Sequence, residues 1–109
     1  MRTELLIKAM LAAADDDLRP GGAVAREYAE LEFRKLLLVI QSIRKLRDQG
    51  QITKDEAKLL VELQRNAMRS VLLTRQGLGI LEAERAINAA MRAIRAAANA
   101  AIGGGWKLL

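Results

Sequence analysis

The chain has 109 residues, of which 51% are hydrophobic and only 3% aromatic, with a net charge of +5 and neither cysteine nor histidine. Such a length suits one domain with a modest core, and an apolar set of Leu, Ile, Val, Met and Ala favours packed helices over sheets. Without Cys or His there is no disulfide, no cysteine zinc site, no imidazole base and no Ser-His-Asp or Cys-His device.

Residues 1–22 read as a short helix followed by a Pro/Gly linker. A secretory signal is not expected, because Glu4 and Lys8 interrupt the apolar stretch it would need. A helix is predicted over residues 3–14, with Leu6, Met10 and Ala13 beside Leu5 and Ala9 on one stripe. A dozen residues is marginal alone and needs tertiary support. "DDDLRPGGA" then reads as a solvated loop, since Pro20, Gly21 and Gly22 stop a helix. Its three adjacent aspartates lack the alternation and glycine of a calcium loop.

A second helix is predicted from Val24 to about Gln49, where Tyr28, Leu31, Leu36, Val39, Ile40, Ile43 and Leu46 recur at three- and four-residue steps. "DQGQITKDEAK" marks its end and the next beginning: Gly50 as the left-handed residue after the helix, Thr53 as N-cap, Glu56 completing a capping box, and Ile52 as a staple on Ala57. An unbroken helix from Lys54 to Ile102 would be about 70 Å long at 1.5 Å per residue, whereas a compact chain of this size is roughly 35–40 Å across. Gly77 and Gly79 in "TRQGLGILE" are the weak points, each costing about 1 kcal/mol in a helix relative to alanine. Either the chain breaks there into helices near 54–75 and 80–102, or one long helix continues and is covered by other subunits. Residues 23–102 are thus expected to form an all-α helical hairpin, an up-down bundle assembling into a homo-oligomer, and residues 103–109 a Gly-rich hydrophobic tail.

On the last helix Ile80, Ile87, Met91, Ile94, Ala98 and Ile102 trace a bulky stripe, and Glu82, Arg85, Asn88, Arg92, Arg95 and Asn99 a polar one. Ala83, Ala86, Ala90, Ala93, Ala97 and Ala101 fill most of what remains. A helix apolar over most of its girth is buried on two sides, so two neighbours are implied. The expected oligomer interface is Ala86, Ala90, Ala93, Ala97 and Ala101, with Trp106, Leu108 and Leu109 of the tail docking in a groove on the same or a neighbouring subunit.

The chemistry of catalysis finds no foothold. Glu82 and Glu84 point to different sides of a helix, and "QGLG" lacks the strand and third glycine of a dinucleotide fingerprint. The hydroxyls sit in no nucleophile context. No enzyme activity, catalytic residue, cofactor, metal or small-molecule substrate is therefore predicted. No run of about 18 uncharged apolar residues suggests a membrane span, and a cytoplasmic location or a place in an assembled particle is expected. The expected function is that of a structural subunit forming an oligomer, ring or filament, in the manner of viral, phage or secretion assemblies by analogy of architecture alone. A second reading is a small basic adaptor for nucleic acid or anionic lipid. From Arg65 onward seven bases face two acids, and Arg65, Arg69, Arg85, Arg92 and Arg95 are the candidate anion contacts.

Overall fold

Helical periodicity carries through the three aspartates rather than stopping before them. The computed structural model describes residues 3–74 and 78–102, with side chains as far as residue 97, and the regular structure among them is entirely helical. Helix α1 (Thr3–Leu18) buries Leu6, Ile7, Met10, Ala14 and Leu18. Leu5, Ala9 and Ala13 of the expected stripe are instead exposed. Carboxylates in a last helical turn oppose the helix dipole, but Arg19 donates to Asp15 and Asp16 and Arg26 donates to Asp15, which offsets that cost. The aspartates are therefore helical and mostly paired, not a solvated loop, and the helix gains the turn that buries Leu18.

A 3-10 turn (Arg19–Gly21) leads directly into α2 (Gly22–Asp48), so the linker is shorter than expected. Two glycines make the reversal possible for different reasons. Gly22 has φ +72°, which L side chains rarely adopt. At Gly21 an added Cβ would lie 2.5 Å from the Ala25 Cβ and 3.0 Å from the Leu78 Cγ, so absence of a side chain lets the turn approach the segment entering the last helix.

Helix α2 buries Ala25, Ala29, Phe33, Leu36, Leu37, Ile40 and Ile43. Its end is a Schellman motif: Gly50 N donates to Arg47 O and Gln51 N to Leu46 O, with Gly50 at φ +70°. Arg47 also donates to the Ile52 carbonyl. Helix α3 (Lys54–Leu72) opens with the predicted capping box, in which Glu56 N donates to Thr53 Oγ1 at 3.0 Å and Thr53 N to Glu56 Oε1 at 2.9 Å. Hydrogen bonding by Thr53 to the Glu56 carboxyl, its backbone N–H foremost, holds that group below its ordinary value. Ile52 and Ala57 both join the core.

Helix α4 (Ile80–Ile102) is separate from α3, as the first of the two expected alternatives has it. Gly79 O accepts from Ala83 N and so opens the helix, while Gly77 lies outside the described residues. The pieces fold back into a body of 42 × 24 × 18 Å with a radius of gyration of 13.8 Å. Side-chain pairs fix the directions. Arg34 grips Glu4 and Glu30, Arg26 reaches Asp15, and on the other side Arg65 meets Asn88 and Arg69 meets Glu84. Each consecutive pair of helices is thus antiparallel, giving an up-down-up-down bundle in which α1 touches α2 and α4, and α3 touches α2 and α4. Hydrogen bonds from Arg34 chiefly hold the Glu4 carboxyl below its ordinary value, and donating to the carboxylates of Glu4 and Glu30 raises the guanidinium above its own.

The most extensive helix contact is between α1 and α4. It overturns one expectation. Ala83, Ala86 and Ala90 are completely buried on one side of α4, and Ile87, Met91 and Ile94 are buried too. The two neighbours that an all-round apolar helix requires are α1 and α3 of the same chain. Ala86 and Ala90 are accordingly enclosed by their own subunit and unavailable to another, and Ala93 and Ala97 are half-buried against the same core. Ile80, placed on the bulky stripe by its spacing, is 68% exposed.

Candidate assembly surface

Because Glu4, near the start of α1, stands level with Arg34, the last dozen or so residues of α2 run on past the end of α1. Here α2 leans on α3 alone among its flanking helices. Of the apolar residues recurring at three- and four-residue steps, Tyr28, Leu31 and Leu46 point outward, and further apolar side chains join them on the surface. Val24, Tyr28, Leu31, Leu38 and Leu46 are exposed along α2, Leu38 by 64%, and Leu59, Leu60 and Leu63 are exposed on α3.

On α2 these residues form a stripe of their own. Positions 24, 28, 31, 35, 38, 42 and 46 follow a four-three alternation that continues to Ser42 and ends one step wide at Leu46. Lys35 and Ser42 are its two polar members. Core-facing positions 25, 29, 33, 36, 40 and 43 follow a parallel track, so α2 is apolar on two separate faces. That second face was the signal available in the sequence: one helix carrying more apolar positions than a single stripe holds. Merged into one stripe, the two tracks look like a single core face.

The stripe has relief. Between α2 and α3 lies an apolar groove of about 280 Å³, lined by Leu38, Val39, Ser42, Ile43, Leu46 and Leu60. Toward the other end of α2 a second open hollow of about 320 Å³ is lined by Glu27, Tyr28 and Leu31. Lys35 stands between them, its Nζ 2.9 Å from Oε2 of Glu32. Glu32 is the buried charged residue of α2, 3% exposed, and this pairing answers its carboxylate.

The candidate anion contacts divide. Arg65 donates to Asn88 Oδ1 at 2.7 Å, and the buried Nε of Arg69 lies 2.5 Å from Glu84 Oε1, an ion pair of partly exposed side chains without the alignment of a hydrogen bond. Both clasp α3 to α4. Arg85, Arg92 and Arg95 are exposed on α4. The expected tail contacts Trp106, Leu108 and Leu109, and the side chain of Ala101, lie outside the described residues. Among the described residues no three carboxylates gather as a metal site, and no helix is long and apolar enough to cross a membrane. No protein-family model, curated protein or solved structure matches the chain.

Proposed function

We propose that this chain is a non-enzymatic structural subunit that associates with further copies of itself. The observation carrying this reading is the row of exposed apolar side chains along α2, bordered across the groove by Leu60 of α3. Apolar side chains gathered on one side of a small helical body mark an interaction surface, whereas singly scattered ones do not. The surface differs from the alanine face anticipated from sequence, because α1 already covers that face. Its chemistry supports burial of apolar area as the driving force, which strengthens rather than fades as salt rises.

The basic adaptor is the weaker reading. Arg65 and Arg69 are engaged in contacts within the chain, and anion binding through exposed arginines would collapse with salt. Light scattering at high salt separates the two: particles larger than one chain are expected, and a single chain there at every concentration contradicts the proposal. Binding of random duplex DNA at low ionic strength, lost as salt rises, would favour the adaptor.

A further inference from the structure

We infer that two copies of the chain pair through α2, antiparallel, about a two-fold axis passing beside Lys35. This rests on the self-association proposed above and specifies its geometry. The stripe is nearly symmetric about that residue: Val24 lies eleven positions before it and Leu46 eleven after, Tyr28 and Ser42 seven on either side. Turning one helix end for end over the other therefore lays each apolar half of the stripe on the opposite half of its copy. An isologous contact requires such self-complementarity.

The relief agrees. Each copy offers a groove near Leu38 and Leu46 and a hollow beside Tyr28 and Leu31, one on either side of Lys35. In the antiparallel arrangement Leu31 and Tyr28 of one copy enter the groove of the other, and Leu38 and Leu46 return into the hollow, knobs meeting holes twice. A parallel pairing would set groove on groove and hollow on hollow.

Charge also selects the antiparallel order. Glu27 and Lys45 flank the stripe on the same edge, one at each end, and neither has a partner among the described residues. Antiparallel helices bring like edges together, so Glu27 of one copy faces Lys45 of the other at both ends of the seam. In a parallel two-fold pairing the two copies of this edge lie on opposite sides of the seam, and neither residue finds an opposite charge there. Lys35, at the centre, keeps its Glu32 carboxylate, so the two ammonium groups near the axis each arrive with a counter-charge. Lys35 is the charged position at the centre of an otherwise largely apolar seam, and such a position favours one register and orientation.

The chain contains no cysteine, which permits a direct test by disulfide trapping. Two variants are made, Val24→Cys and Leu46→Cys, both at exposed positions. Under mild oxidation, at a concentration where the unmodified chain is oligomeric, their mixture is expected to give a covalent dimer containing one of each. Either variant alone is expected to give none. Covalent dimer from one variant alone, or none from the mixture, overturns the antiparallel α2 pairing while the wider self-association stands. An unmodified chain that sediments as a single copy at every concentration overturns both.

Discussion

Thr53 is the clearest place to see one side chain set the fold. Its Oγ1 accepts from Glu56 N and its backbone N donates the reciprocal bond to Glu56 Oε1, so Thr53→Ala should lower stability by about 1 kcal/mol, read as the urea midpoint of unfolding. An unchanged midpoint would mean that packing alone starts α3. Gly21→Ala should cost about 1–3 kcal/mol, because the new Cβ meets the Cβ of Ala25, which cannot rotate away. Glu4 makes the acid response specific. Its folded-state carboxyl lies below the ordinary 4.5, chiefly through hydrogen bonds from Arg34, so the folded chain binds fewer protons there than the unfolded chain. That contribution is complete above the ordinary carboxylate range and is lost as pH falls below about 4.5. The urea midpoint of the wild type should fall more steeply below that pH than that of Glu4→Gln, and parallel curves would deny the tie between α1 and α2. The cap at Thr53 was legible in the sequence because its chemistry spans four neighbouring positions. The tightness at Gly21 was not, since it depends on Leu78, brought alongside only by the tertiary fold.

Among the elements, the break at the glycine pair could be foreseen from length alone, and the hairpin from its turn. The placement of α1 could not. From the sequence it reads as a marginal helix that ends before the aspartates and needs tertiary support, and the alanine face of the last helix is assigned to an oligomer interface. Arg19 and Arg26 change that outcome: by pairing the aspartates they let α1 continue to Leu18 and lie along α4. Close approach of the two helices uses Ala86 and Ala90, whose small side chains sit completely buried. Ala90→Leu should therefore overpack the bundle and destabilise the chain by about 1–3 kcal/mol, measured by thermal or urea unfolding of the isolated subunit. If unfolding is unaffected and only the oligomeric state changes, Ala90 faces a second copy and α1 does not cover this side of α4.

At the scale of the whole molecule, a chain this small has more apolar helix surface than one bundle of its own helices encloses. The excess is carried by α2, the longest helix, whose end outruns α1 and whose second apolar track faces away from the core. The sequence shows an excess of apolar surface, because four helices and their polar stripes can be counted along it. Where the excess ends up is a matter of relative helix lengths and of which face α1 occupies, and those emerge only on packing. Leu38 is the most exposed apolar residue of the stripe and contributes little to its own core, so Leu38→Glu should leave the subunit's unfolding midpoint within about 0.5 kcal/mol of the wild type. Sedimentation equilibrium of wild type and Leu38→Glu side by side, in high salt over a range of concentrations, is the most direct test. Association through the α2 stripe predicts a wild-type mass of at least two chains and a variant mass of one. A wild type that stays single throughout, or a variant that associates as the wild type does, would contradict it.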